Sequence, residues 1–152
     1  MQELIETWQI NNRINLYVLN AVAAEGWAAA LGKGRSVGKQ FAHIHNVRLM
    51  WLNAAAPELA KGVSKIDTEK EIERKEVEQA LEKSGEAIEA LLKKAGAPGG
   101  KIKGFKPHAA GFLGYIISHE SHHRGQIALI LKQAGCPLDK KTAFGNWEWG
   151  SR

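Results

Sequence analysis

The sequence predicts an all-helical protein, a four-helix bundle, and three observations carry that expectation. Apolar residues recur at steps of three and four through four long stretches. Glycine and proline mark the gaps between those stretches, and no strand-like alternation or internal repeat persists anywhere. A chain of 152 residues is the length of one domain, with enough material for a substantial apolar core.

The first stretch runs from about Glu3 to Ala29, with Ile5, Trp8, Leu16, Leu19 and Ala23 at helical spacing and Asn12 interrupting the stripe. Gly32 and Gly34 close it, and Ser36 can cap the next helix. That second helix is expected from Val37 to Ala55, with Val37, Phe41, Ile44, Met50 and Trp51 among its apolar members and Pro57 just past its end. The third is expected from Thr68 to Lys94, capped by Asp67 or Thr68 and ended by Gly96. Its acids crowd the first half, where they complement the helix dipole. Ile72, Val77, Leu81, Ile88, Leu91 and Leu92 form its inner face. AGAPGGKIKGFK reads as a loop, after which Pro107 can open a fourth helix that continues to Ala134 and stops at Gly135. The tail, residues 138–152, has no convincing periodicity; Trp147 and Trp149 suggest that it docks on the bundle or on a second subunit.

Composition narrows the function classes. The chain is 44% hydrophobic and 24% charged, which excludes a disordered tail, a collagen-like repeat and a disulfide-stapled miniprotein. No apolar run reaches the length of a membrane span, and MQELIETWQINNR has acids and amides where a signal peptide has bases and an apolar block. The single cysteine, Cys136, has no internal partner and suits a reducing compartment, so the cytoplasm is expected. The net charge of +5 hints at an anionic partner, but the bases are scattered apart from Lys101, Lys103 and Lys106. No helix carries a basic stripe with interleaved aromatics, so nucleic acid is not expected as a partner.

The histidines carry the chemistry. Six are present, at 43, 45, 108, 119, 122 and 123. The fourth helix shows an inward seam of Phe112, Ile116, His119, His123, Ile127, Ile130 and Ala134. His119 and His123 stand one turn apart on it, so their imidazoles can share one metal ion. His122 also shares a face with His119, but it lies on the flank with Tyr115, Ser118 and Gln126. A third ligand must come from a neighbouring helix, and the second offers His43 and His45. These lie about 200° apart round the helix, so only one is expected to point inward, and periodicity leaves the choice open.

SVGKQFAHIHNVRLMWL followed by YIISHESHHRGQIALILKQAG resembles the DinB/YfiT-like family of metalloenzymes, and the closing WEWG fits the same likeness. The resemblance spans most of the chain and implies a four-helix bundle. It also implies a divalent ion held by a second-helix histidine and an HxxxH pair, here His43, His119 and His123. Zinc or nickel is the implied ion, with manganese or iron as alternatives. A homodimer and thiol-dependent S-transfer are implied as well, the ion holding a low-molecular-weight thiol. Cys136, more than three turns beyond His123, is too far to ligate.

Two other functions compete. His119-Glu120-Ser121-His122-His123 is a literal H-E-x-x-H, in which Glu120 would activate metal-bound water in a hydrolase or peptidase. In the other, the metal serves no catalysis and the chain is a metal-binding stress protein. The flanking residues have plain readings: Arg124 in a salt bridge, Gly125 at a close helix approach, Gln126 bonded to a ligand histidine. Tyr115 is expected in core packing or the pocket lining, and Trp8, Trp27 and Trp51 in the core or an interface. The lysine loop could attract an acidic thiol.

Overall fold

The computed structural model describes residues 1–106 and 108–152. Its long helices are α1 (Gln2–Ala21), α2 (Val37–Ala55), α3 (Arg74–Ala95) and α4 (Ala109–Gln133). A short α5 (Lys140–Gly145) and three 3-10 turns complete the helical structure, and no strand occurs among the described residues. The reading of Pro107 as a helix opener lies outside the described residues. α1 and α2 each pack beside α3 and α4. The ring order is therefore α1, α3, α2, α4, and the first two helices face each other across the diagonal.

Two boundaries and the tail differ from the sequence expectation, and at both boundaries side chains elsewhere capture the backbone. α1 ends at Ala21, not Ala29, because Val22 turns extended and buries its side chain. Arg74 donates to the carbonyls of Val22 (2.7 Å) and Ala23 (3.4 Å), taking over carbonyls that a continuing helix would have used. α3 starts at Arg74, not Thr68. Asn46 of α2 clamps Ile66 through both its backbone groups, at 2.9 and 3.0 Å, and the indole of Trp27 donates to the carbonyl of Ile72. Asp67 accepts from the amide of Glu69 in a local turn instead of capping a helix. The tail is not wholly irregular, since Asp139 caps α5 by accepting from the amide of Thr142 at 2.9 Å.

Ser36 caps α2 as expected, accepting from Lys39. Gly135 ends α4 at φ 79°, a left-handed conformation that favours glycine. Ala134, placed on the inward seam by periodicity, is exposed, as is Met50, one of the apolar members of the second helix.

The interior is divided into two apolar clusters. One gathers Ile5, Trp8, Leu52, Ile88, Phe112 and Ile116; the other gathers Ile14, Val18, Phe41, Val77, Leu81 and Ile127. At the level of α1 where these clusters meet, the sequence supplies asparagines, and a buried polar layer fills the space. The turn after α1 is packed just as tightly: a Cβ on Gly26 would stand 2.5 Å from Leu131 Cδ2. Gly26→Val is therefore expected to destabilise the fold by about 1–3 kcal/mol through overpacking, measurable as a lower urea midpoint. An unchanged midpoint would mean that this turn moves aside freely.

Candidate metal centre

α2 and α4 pack side by side, and their facing sides carry the three histidines. His43, His119 and His123 each offer one ring nitrogen, and these atoms lie within 4.8 Å of one another. The Nε2 atoms of His119 and His123 are 3.2 Å apart. Two nitrogens bound to one tetrahedral ion at the usual zinc–nitrogen length lie about 3.3 Å apart, so this pair already stands at a ligand spacing. The donor set fits a divalent ion. Nδ1 of His119 is buried without a hydrogen-bond partner, whereas Nδ1 of His123 stands 2.6 Å from Oε1 of Gln40. With the amide oriented this way, Nδ1 donates and the Nε2 lone pair is left facing its neighbours.

Protonation favours the same role. Burial, then the charges of Arg35 and His119, pushes His43 down to about 4. Burial, then His119 and His43, brings His123 to about 4. His119 is lowered by burial, with Glu120 opposing. Imidazoles of this kind are neutral at pH 7 and free to bind metal. In the metal-free protein the sign is clear, because the unfolded chain binds protons near 6.5 and the folded one only near 4. The stability from these groups is fully present above pH 6.5 and is lost as the pH falls through 4. Urea midpoints of apo-protein are expected to decline across that window. A flat profile would show that the rings are charged or solvated in the fold.

Glu120 is withdrawn from this centre. It is wholly buried on the bundle side of α4, where Arg48 Nε donates to Oε1 at 2.6 Å and Nη2 to Oε2 at 3.0 Å. Asn11 and Asn15 each donate to Oε2 at 2.6 Å. Burial alone would raise its pKa, but the charge and hydrogen bonds of Arg48, with Arg124 and Asn11, hold it below the ordinary range. Its oxygens are occupied by four donors, so it cannot serve as the water-activating base of an H-E-x-x-H site. That expectation is overturned.

Several neighbours also depart from their sequence readings. Arg124 makes no carboxylate ion pair; it donates to the amide oxygens of Asn11 (3.0 Å) and Asn15 (2.6 Å) and to Ser121. This orients the two asparagine amides toward Glu120. Gly125 meets no neighbouring helix, since a Cβ there would have open space. Gln126 bonds to His122 rather than to a candidate ligand. His45 is buried against other partners, its ring nitrogens 3.0 Å from the carbonyl of Ala80 and 2.8 Å from that of Ser64. Both second-helix histidines are therefore enclosed, at different interfaces. Tyr115 is 39% exposed, at the edge of an aromatic group with Trp51, Phe105 and Phe112. Trp8 is core; Trp27 stacks on Phe41. Cys136 is half-buried beside the second apolar cluster and is no member of the histidine group.

The chain matches the model of the DinB family over residues 1–146. It belongs to the DinB family. No curated protein matches it. The all-helical bundle and the clustered histidines agree with that membership. Sequence reading did not single out Gln40, Arg48, Asn11 or Asn15 in this DinB-family chain. The one signal was the asparagine interruption of the α1 stripe, which marks polar side chains turned toward the core.

Beside the centre lies a groove of about 400 Å³ lined by Leu31, Gly34, Arg35, Gln40, Gln126, Leu129 and Ile130. Gln40 links the two, since it touches His123 and lines the groove. Gln40→Ala is expected to weaken metal affinity by about 10–100-fold, as loss of a supporting hydrogen bond does. Competition against a chromogenic chelator measures this. Unaltered affinity would remove Gln40 from the centre.

Proposed function

We propose that this DinB-family chain is a metal-dependent transferase that moves a group onto or from the sulfur of a small thiol. His43, His119 and His123 hold the divalent ion in this reading. The observation that carries it is the convergence of three neutral imidazoles within 4.8 Å of one another, two of them at ligand spacing, beside an open groove. A divalent ion held there would keep a bound thiol in its thiolate form near neutral pH. The chain's own residues supply the rest: burial keeps the imidazoles unprotonated, Gln40 sets the orientation of His123, and the groove receives the substrate. The removal of Glu120 into an ion pair argues against an H-E-x-x-H hydrolase, whereas a metal-bound thiol needs no carboxylate base to become a thiolate.

A homodimer is part of the proposal, with exposed Phe144 and Trp147 leaving apolar surface for a second copy. Among the described residues, no helix is long and apolar enough to cross a membrane.

Plasma mass spectrometry of tag-free protein tests the metal first. Near one equivalent in the wild type, falling sharply in His43→Ala, supports the three-histidine site. Thiol loss in the presence of alkylating electrophiles then tests turnover. Metal without turnover would favour a non-catalytic metal-binding role. No uptake of zinc, nickel or manganese would make the histidines packing groups.

A further inference from the structure

The groove beside the histidines has an uneven chemistry. Leu31, Leu129 and Ile130 make much of its wall apolar, while Arg35 is the one charged side chain in its lining. Arg35 follows the Gly32–Gly34 turn, immediately before the Ser36 cap of α2. Its guanidinium makes no hydrogen bond or ion pair to any described residue, although several arginines elsewhere in the chain are engaged in such contacts. No acid lines the groove. Lys101, Lys103 and Lys106, the sequence's own candidates for attracting an anion, lie in the α3–α4 loop and take no part in the groove.

We infer that Arg35 selects the ligand of this site: a molecule with an apolar body against Leu31, Leu129 and Ile130 and a carboxylate paired with the Arg35 guanidinium. The opposite end of the ligand reaches the histidines. This rests on the proposed metal-bound thiol and names the class of molecule the site takes. A planar guanidinium presents paired donors that match a carboxylate, and it stays charged at every physiological pH. The apolar wall contributes affinity without regard to charge, so Arg35 supplies the discrimination between an acid and a neutral molecule of equal length.

The test uses full-length protein loaded with cobalt(II), whose thiolate charge-transfer absorption reports binding directly without turnover. The probes are 6-mercaptohexanoate, 6-mercaptohexanol and 6-aminohexanethiol, titrated at low ionic strength, with 3-mercaptopropionate added to vary reach. The acid is expected to bind about fivefold more tightly than the alcohol, a modest factor because an exposed guanidinium is screened by water and salt. The amine should bind more weakly than either. Arg35→Gln is expected to bring acid and alcohol to equal affinity, and Arg35→Lys to restore part of the preference. Because Arg35 is exposed and bonds to no described residue, neither substitution should alter the fold or cobalt content, which circular dichroism and metal analysis check. Equal binding of acid and alcohol by the wild type, or a preference that survives in Arg35→Gln, overturns this inference while leaving the metal reading intact. Absence of the absorption with every thiol overturns the metal-bound thiol and this inference together.

Discussion

Arg48→Met should destabilise the protein by about 3–5 kcal/mol, the cost of leaving one partner of a buried ion pair uncompensated. Both Arg48 and Glu120 have no solvent exposure, and their contact is bidentate. Arg48 also donates to Asn12 at 2.8 Å and to the carbonyl of Leu81 at 3.0 Å, and its guanidinium lies 4.7 Å from the centre of the Trp8 ring. Removing it therefore strips acceptors on α1 and α3 along with the carboxylate on α4. The double variant Arg48→Met/Glu120→Leu should lose less than the sum of the single changes, because no charge is then left behind in that pair. Urea unfolding of the four proteins closes the cycle. A single-variant cost below about 1 kcal/mol would be the value of a solvated pair and would show that water reaches this layer.

His123→Ala is expected to reduce metal affinity by at least about 100-fold, beyond what loss of a merely supporting group produces. His123 is the most buried of the three histidines, lies 3.2 Å from His119 and is oriented by Gln40. The apo form of the variant should lose about 1–3 kcal/mol of its own, because a buried ring is removed and Gln40 loses its partner. Calorimetric titration with zinc and thermal melts with and without zinc separate the two effects. Equal zinc affinity in the variant would place the metal elsewhere. By contrast, His122→Ala should leave affinity unchanged, since that ring is exposed and bonds to Gln126.

The four long helices were legible because each must bury one apolar stripe, and a stripe has a period that local sequence displays. Ser36 and Gly135 were legible for a similar reason: a cap or a left-handed residue is a requirement of the backbone at one point. The HxxxH pair followed from helical geometry, which sets residues one turn apart on a common face. The boundaries at Val22 and Arg74 were not legible. Arg74 takes the carbonyls of Val22 and Ala23 across 52 and 51 residues of sequence, and Asn46 holds Ile66 from another helix. Nothing in either segment alone records those partners.

The candidate site divides in the same way. The pattern of residues determined that His119 and His123 share a face, and the family likeness pointed to His43. Only the packing of α2 on α4 decided that the three rings meet, that His45 turns to Ala80 and Ser64 instead, and that Gln40 supports His123. Tertiary structure also decided the fate of Glu120. One step along the helix from His119, it rotates by about 100° out of the centre and into the bundle interior, where a guanidinium and two amides satisfy it. Periodicity places a side chain on a face of its own helix. What that face meets depends on the helices packed against it, and a buried carboxylate becomes a base or an anchor according to the donors they bring.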